Sequence, residues 1–378
     1  MSPRIPRLRA WEQAKRAMIL SGSLGLGHDM IAAACTEVLH REGWDARTLS
    51  SMSLLGPVAG DLGERAFRRL ISLPGLYDGL HFAGLRPGGP LARAMDYAAK
   101  RRLVPALRAE LEGDPADLLI AVFAAGASAV AELGHDAPER HTVVFCNDVT
   151  LHRLWVWEGI DLFCVTSAAA AASVRRFLPR AEVVVVPQPV RSQFCAVPSQ
   201  LDARSRLGVP GESSCVLLMG GGWGLGPLAE TAEALASKGV HVLALAGNNA
   251  GLERRLRASA SESARIHPFG FSDRMPELMA ASDLVIAPSG ATTCSEVRAV
   301  GRPLLILDVV PGHGRENLLH ELELGGADVC NSAPADIVAC ALAILDRVER
   351  PATNAPPIPE WGSELVEALT SIGVKMRH

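Results

Sequence analysis

The chain has 378 residues, enough for two domains, with 48% hydrophobic residues, 21% charged residues and a net charge of −4. This slightly acidic balance argues against a nucleic-acid partner, because such proteins usually carry a basic domain. No apolar run is long enough to span a bilayer, and Met1–Arg16 lacks the apolar core of a signal peptide. Eight cysteines without a C-x-x-C motif favour reduced thiols in a cytoplasmic protein.

Strand and helix signals alternate through the first half of the chain. A short apolar strand at 17–20 runs into a loop of small residues, Ser21–His28, and a helix follows over 29–42. Four further apolar runs are typical of buried parallel strands, at 118–123, 142–146, 162–166 and 183–186. The alternation predicts a doubly wound, Rossmann-like α/β domain over residues 1–194.

A helical stretch, 54–112, interrupts this alternation and combines basic with apolar side chains. Its helices are separated by a loop at 85–90, and its cations include Arg65, Arg68, Arg69, Lys100, Arg101 and Arg102. Basic and apolar residues at helical spacing are typical of a face that lies on an anionic membrane. A helical pair that covers the sheet with a solvated outer face explains the pattern equally well, and both interpretations stay open.

A second α/β series follows an interruption by Pro, Gln and Ser at 189–199. Its strand signals lie at 214–219, 240–246, 266–269, 284–287 and 304–307. They predict a second Rossmann-like domain over residues 195–350. The tail, 351–378, is Pro-rich and then helical from 360 to 372, and we expect this helix to pack back on the first domain.

The loop after the strand at 284–287 has the composition of a phosphate-binding loop. It reads Pro288–Thr293, and the helix that follows carries Glu296. A strand that leads through a Gly/Ser/Thr loop into a helix presents backbone N–H groups to a phosphate, and the carboxylate can reach ribose hydroxyls. The glycines at 220–224 favour a second anion contact, although a loop that only connects two elements is the alternative.

Two residues of the first domain are candidates for a general base. His28 closes a glycine-rich loop at a helix start, where the helix dipole disfavours the charged imidazole. Asp148 follows a strand at its carboxyl end, where ligands of α/β proteins bind. A structural histidine and a capping aspartate are the alternatives. Trp155 and Trp157 suit either a lipid interface or packing between strands.

The sequence has no D-x-D, no H-E-x-x-H, no Cys/His cluster and no G-x-S-x-G motif. We therefore expect a mechanism that uses no metal and no resident cofactor.

Three segments together resemble GT-B glycosyltransferases of the monogalactosyldiacylglycerol synthase and lipid I N-acetylglucosaminyltransferase group. The first is Gly25–His28 and the second runs from Asn147 to Asp161. The third comprises Gly270, Phe271, Met275, Ser289, Gly290, Glu296, Gly301, Pro303 and the run from Pro311 to Asn317. Their order and spacing cover most of the chain.

The resemblance implies the GT-B fold, in which two Rossmann-like domains face each other across a cleft, and inverting transfer of a sugar from a nucleotide diphosphate, usually UDP. Phe271 and Met275 would flank the base, and Glu296 would bind the ribose. The other donor-binding residues would be Gly221, Gly222, Ser289, Gly290, Thr292, Thr293, His313 and Asn317. His28 or Asp148 would lie near the acceptor hydroxyl, with Gly27 and Trp155 on the acceptor side.

The chain also departs from this family pattern. His313 and Gly314 stand where the family often has Gln and then Glu, so the motif leaves the transferred sugar open. The acceptor would be a lipid or a natural product, and a lipid acceptor would bring the protein to the inner face of a membrane. A UDP-sugar 2-epimerase on the same architecture and a non-catalytic nucleotide-sugar-binding subunit are the rival interpretations.

Overall fold

The computed structural model describes residues 15–22, 26–56, 69–70, 73–137, 139–348 and 361–376. Several sequence predictions lie outside the described residues: the Ser23–Gly25 part of the first loop, the cations Arg65 and Arg68, and the Pro-rich stretch 351–359.

The first domain is built on a six-stranded parallel sheet with the strand order β2-β1-β3-β4-β5-β6. Its strands are β1 (Arg16–Ser21), β2 (Asp45–Ser50), β3 (Leu118–Ala121), β4 (His141–Cys146), β5 (Leu162–Val165) and β6 (Val183–Val185). Its described helices are α1 (Leu26–Arg41), α2 (Ser51–Leu54), α3 (Pro74–Gly79), α4 (Pro90–Gly113), α5 (Ala124–His135) and α6 (Ala168–Phe177).

The second domain repeats this architecture with the strand order β12-β11-β10-β7-β8-β9. Its strands are β7 (Cys215–Met219), β8 (His241–Leu245), β9 (Ile266–Phe269), β10 (Leu284–Pro288), β11 (Leu304–Leu307) and β12 (Ala327–Cys330). Its helices are α7 (Gln200–Leu207), α8 (Leu228–Ser237), α9 (Ala250–Glu262), α10 (Met275–Ala281), α11 (Ala291–Val300), α12 (His313–Glu323) and α13 (Pro334–Leu345). The predicted α/β class with two doubly wound domains is confirmed.

Two strands were missed by the sequence prediction, and both lie at the edge of a sheet. β2 reads DARTLS and β12 reads ADVC, and each pairs with one neighbour only. An edge strand is partly exposed and does not need the continuous apolar run that marks an inner strand. Their sequences therefore carry little strand signal.

Each sheet is buried on both faces, as a parallel sheet requires. Along β1, Met18 and Leu20 pack with α4 and α5, whereas Ala17 and Ile19 pack with α1 on the opposite face. This alternation follows from the two-residue period of a strand. It leaves the carboxyl ends of the strands and the loops after them to form a site.

The chain passes from the first domain to the second between Val186 and Val190. Val186 belongs to the core of the first domain, whereas Val190 and Phe194 pack in the core of the second. The last helix, α14 (Trp361–Ser371), returns to the first domain. There Leu365 and Leu369 are buried beside α1, and the Trp361 indole donates a hydrogen bond to the Val190 carbonyl at 3.2 Å.

The interrupting helical stretch covers one side of the first domain. α3 continues directly into a π-helical turn, Leu80–Leu85, before α4 begins. Its exposed apolar side chains are Leu73, Leu76, Phe82, Leu91, Met95 and Tyr97. Among the described residues, no helix is both long enough and apolar enough to cross a membrane.

Candidate active site

A cavity lies between the two domains, where the carboxyl ends of both sheets face each other. The first domain contributes the start of α1 and the loop after β4, and the second domain contributes the loops after β7, β10 and β11. Of the predicted site residues, these line the cavity: Gly27, His28, Asp148, Gly221, Gly222, Phe271, Met275, Ser289, Gly290, Thr292, Thr293, Glu296, His313 and Asn317. The exception is Trp155.

The start of α1 approaches the second domain closely at Gly27. A Cβ atom on Gly27 would lie 3.9 Å from Thr292 Oγ1, so the first turns of α1 and α11 face each other across the cavity. Nearby, the Asn147 amide donates to Thr292 Oγ1 at 3.4 Å. Two helix N-termini thus point toward one space, which is an arrangement that favours a bound anion.

His28 is held by aromatic neighbours. Its ring lies 5.2 Å from the Phe123 ring and 6.1 Å from the Trp155 ring, centroid to centroid. Burial lowers the pKa of His28, and the Asp148 carboxylate offsets only part of this effect. A hydrogen bond with the Val122 backbone also acts on this ring. A neutral imidazole is suited to accept a proton.

Asp148 is half-buried in the loop after β4 and also lines the cavity. Its charge acts on the pKa of both His28 and His152. The structure therefore brings the two candidate bases to one wall of the cavity, with their side chains electrostatically coupled.

The two tryptophans after Asp148 pack within the protein. Trp155 is 2% exposed in the core of the first domain and does not line the cavity, so it does not lie at a lipid interface. Trp157 is half-buried, and its ring is covered by Lys100 at 4.3 Å and Arg153 at 4.6 Å. Its indole donates to the Leu154 carbonyl at 2.8 Å. Packing is the alternative that the structure supports for both.

The glycine-rich loop after β7 requires glycine for steric reasons. A Cβ atom on Gly220 would lie 2.4 Å from the backbone nitrogen of Leu225. Gly224 has φ +62°, and a Cβ there would lie 2.7 Å from the Ala246 carbonyl oxygen. Gly221 and Gly222 line the cavity at the start of this turn. The loop can therefore bring bare backbone close to a ligand.

The N-terminus of α11 opens into the cavity without a side-chain cap. Gly290 is its N-cap residue and makes no capping hydrogen bond, so the first backbone N–H groups of the helix, including those of Thr292 and Thr293, are available to a ligand. The Ser289 hydroxyl is already used, because it donates to the Gly314 carbonyl at 2.6 Å. Ser289 thus holds the start of α12 against the loop that precedes α11.

Phe271 and Met275 form one end of the cavity. Phe271 is 58% exposed, which is unusual for a phenylalanine, whereas Met275 is 7% exposed at the start of α10. An exposed aromatic ring at the rim of a cavity offers a flat surface on which a planar base can stack. That the two side chains flank a nucleotide base stays a prediction.

Glu296 has a partner that the sequence did not suggest. Arg191 Nε lies 2.6 Å from Oε1 and Arg191 Nη2 lies 3.0 Å from Oε2, so the guanidinium grips both carboxylate oxygens. Glu296 is 3% exposed, and burial raises its pKa although the Arg191 hydrogen bonds and charge act in the opposite direction. Both residues line the cavity.

His313 and Asn317 lie on the first two turns of α12 and contact both the cavity and the first domain. The Asn317 side-chain oxygen accepts a hydrogen bond from the Val149 backbone at 3.2 Å. Tyr77 Oη and His313 Nδ1 are 3.3 Å apart. Neither interdomain contact could be predicted from the sequence, because it depends on how far the cleft is closed.

Three residues important to the site were missed as site residues. Arg191 is a single cation in a Pro-rich connector, and only the path of the chain brings it to Glu296. Asn147 lay inside a recognised segment, but its contact with Thr292 required both domains. Glu316, which joins α12 to the first domain, looks like an ordinary surface carboxylate in a helix.

The second domain matches a known family model. Residues 216–324 match the glycosyltransferase family 28 C-terminal domain. A probable monogalactosyldiacylglycerol synthase 2, chloroplastic, from Oryza sativa subsp. japonica is 29% identical over 198 residues, 50% of this chain and 42% of that protein. A processive diacylglycerol beta-glucosyltransferase from Bacillus pumilus is 29% identical over 211 residues, 54% of each chain. Over about half of its length, this chain is therefore similar to monogalactosyldiacylglycerol synthases and to a diacylglycerol glucosyltransferase. The match spans about half the length of these relatives.

Solved structures agree on the fold of this chain. Acinetobacter baumannii MurG matches with a TM-score of 0.51 and 13% identity, over 95% of this chain and 98% of that one. A putative UDP-N-acetylglucosamine 2-epimerase from Listeria monocytogenes matches with a TM-score of 0.59 and 12% identity, over 97% of this chain and 98% of that one. At such identities the likeness concerns the fold alone, which is GT-B.

Proposed function

We propose that this chain is an inverting glycosyltransferase that moves a sugar from a UDP-linked donor to a hydroxyl of a lipid or natural-product acceptor. The observation that carries the proposal is the composition of the interdomain cavity. It combines two candidate bases from the first domain with an uncapped helix N-terminus and an exposed aromatic ring from the second. The sugar–diacylglycerol products named for the two relatives favour a lipid acceptor.

The reaction would be a single displacement at the anomeric carbon. His28 or Asp148 takes the proton of the acceptor hydroxyl as its oxygen attacks that carbon from the face opposite the diphosphate. The bond between the anomeric carbon and the diphosphate oxygen breaks, and its electron pair leaves with UDP. Backbone N–H groups at the start of α11 and in the loop Gly220–Gly224 stabilise the added charge without a metal.

We propose that Phe271, Met275 and Glu296 bind the nucleoside part of the donor. The ring of Phe271 would stack on the base, and the carboxylate of Glu296 would accept hydrogen bonds from the ribose. Arg191 holds that carboxylate in place, so the ribose would meet a pre-oriented acceptor. His313 and Asn317, at the start of α12, would contact the sugar.

We further propose that the outer face of α3 and α4 contacts an anionic membrane on the cytoplasmic side. Exposed Leu73, Leu76 and Phe82 lie on the same stretch as exposed Arg93 and Arg101. Cations near such a surface attract anionic lipid at about 1 kcal/mol each. Lys100 contributes less than its sequence suggests, because it packs on Trp157.

The experiment that tests the transferase proposal has two steps. Thermal shifts with UDP, UDP-galactose, UDP-glucose and UDP-N-acetylglucosamine identify the donor, because a ligand that binds the folded state raises the melting temperature. Transfer of labelled sugar from that donor to diacylglycerol in mixed micelles then tests the acceptor. If none of these nucleotides shifts the melting temperature, the donor-site assignment is wrong.

A second candidate is a UDP-sugar 2-epimerase, because the putative epimerase from Listeria monocytogenes shares the fold. An epimerase needs no acceptor. Incubation of the protein with UDP-N-acetylglucosamine alone separates the two activities: appearance of the 2-epimer supports the epimerase and argues against the transferase.

A further inference from the structure

The first turn of α12 makes hydrogen bonds and ion pairs with side chains of the first domain, although α12 belongs to the second domain. The central residue is Glu316, which no step of the transfer uses. Its Oε2 atom accepts a hydrogen bond from Thr150 Oγ1 at 2.5 Å and lies 3.4 Å from His81 Nε2. Its Oε1 atom lies 2.6 Å from Arg86 Nη1, in an ion pair rather than an aligned hydrogen bond.

A second carboxylate makes the reverse connection. Asp78 of α3 accepts a hydrogen bond from the Gly312 backbone at 2.7 Å and another from Arg315 at 2.7 Å. Glu316 therefore reaches from the second domain to the first, and Asp78 reaches from the first to the second. Both contacts end on the same helical turn.

The Glu316 carboxylate is charged in this environment. Burial raises the pKa of Glu316, but the hydrogen bonds from His81 and Thr150 and the charge of Arg86 outweigh it and leave the pKa below its usual value. The Glu316 side chain is 9% exposed, and His81 is 3% exposed. Separation of the domains would return both groups to water, so these contacts can form and break as the cleft closes and opens.

This turn also carries residues that face the cavity. His313 and Asn317 line it from the first two turns of α12. Phe271 and Glu296, at the nucleoside end, lie on other elements and make none of these interdomain contacts. Loss of these interdomain contacts would therefore move His313 and Asn317, at the proposed sugar end of the cavity, more than Phe271 and Glu296 at the nucleoside end.

We propose that Glu316 is a positioning residue that completes the sugar-binding end of the site only when the cleft is closed. Its contacts with Thr150, His81 and Arg86 fix the first turn of α12, and with it His313 and Asn317. The proposal rests on the proposed function in one respect, namely that these two side chains contact the transferred sugar.

A purely structural role for Glu316 in the second domain is the rival explanation, and the chain offers a matched control. Glu321 lies on the same helix, is 8% exposed and pairs with Arg298 of α11. Its partner belongs to the second domain, so Glu321 crosses no domain boundary. Glu321→Ala removes a similarly buried carboxylate and leaves the contacts of Glu316 with the first domain intact.

The test compares Glu316→Ala and Thr150→Val with Glu321→Ala in the full-length protein. Hydrogen–deuterium exchange of the free protein should be faster over residues 74–86 in the first two variants and unchanged there in the control. We expect kcat to fall about tenfold or more in Glu316→Ala, with the Kd for UDP changed less than about threefold.

Two results would overturn the proposal. One is wild-type exchange over 74–86 in Glu316→Ala, and the other is an equal effect of Glu321→Ala on exchange and kcat. Thr150→Val keeps the test decisive if Glu316→Ala fails to fold, because it removes one contact from the first-domain side. Failure of the wild type to bind UDP would overturn the proposed function instead, while the exchange measurements still decide whether Glu316 joins the domains.

Discussion

Arg191 and Glu296 form a bidentate ion pair, although they are 105 positions apart in the sequence. Arg191 lies in the segment that joins the two domains, and Glu296 lies one turn into the helix whose N-terminus opens into the cavity. A carboxylate has more acceptor sites than one guanidinium occupies, so Glu296 can still bind a hydroxyl. The connector between the domains thus supports the proposed ribose contact.

Removal of the Glu296 carboxylate should weaken donor binding. Glu296→Ala loses a charge-assisted contact worth roughly 1.5–3 kcal/mol, so we expect the Kd for UDP to rise about tenfold or more. Arg191→Lys keeps the positive charge but cannot donate two parallel hydrogen bonds to the carboxylate, and we expect a smaller rise in the Kd for UDP. Isothermal titration calorimetry with UDP measures both. An unchanged Kd in Glu296→Ala would remove Glu296 from the donor site.

Buried Arg204 should be essential to the stability of the second domain. It is 2% exposed and donates to Asp283 Oδ1 at 2.8 Å, while Oδ2 of the same carboxylate accepts from the Cys215 backbone at 2.9 Å. Arg204→Met leaves this buried carboxylate without its cation, and we expect a loss of about 3–5 kcal/mol. Arg255→Met, in an exposed pair with Glu230, should leave stability nearly unchanged, because water and salt screen exposed charges. Urea unfolding of both variants makes the comparison, and equal midpoints would contradict it.

The apolar and basic face of α3 and α4 should bind anionic vesicles at low salt. The double variant Arg93→Gln, Arg101→Gln removes two exposed cations at about 1 kcal/mol each, so we expect the vesicle partition coefficient to fall by about tenfold or more. Arg255→Gln, on a remote helix, serves as the control. Co-sedimentation with phosphatidylglycerol vesicles measures the difference. Wild-type protein that stays in the supernatant at low salt would point to a soluble acceptor instead.

Transfer should survive chelation. The sequence has no D-x-D motif, and the uncapped start of α11 supplies backbone donors for a diphosphate. We therefore expect kcat to be unchanged in excess EDTA. Loss of turnover that magnesium or manganese restores would require a metal in the mechanism.

The inner strands and the glycine-rich turn after β7 could be predicted because much of their signal is local. β7 and β10 are continuous apolar runs, and Gly220 is required by its close contact with nearby Leu225. The edge strands β2 and β12 escaped prediction, since partial exposure removes that apolar signal. The Arg191–Glu296 pair and the contacts of Glu316 depend on the path of the chain and on closure of the cleft, which no local pattern encodes.

His28 and Asp148 are the two candidates for the catalytic base. Burial lowers the pKa of His28, so its imidazole is neutral near pH 7 and able to accept a proton. Asp148 lies close enough to influence that pKa and can hold the acceptor or polarise the imidazole. We favour His28 as the base. His28→Ala should then lower kcat by roughly 10²–10⁴ with UDP binding retained, and Asp148→Asn should be the milder change.

The pH dependence of the wild type gives an independent check on this assignment. A base must be unprotonated, so kcat/KM should fall on the acid side as His28 gains a proton. Because burial places the pKa of His28 below the ordinary 6.5, we expect the midpoint of this fall to lie below pH 6.5 and to disappear in His28→Ala. A larger loss of kcat in Asp148→Asn than in His28→Ala, with both variants folded and able to bind UDP, would transfer the role of base to Asp148.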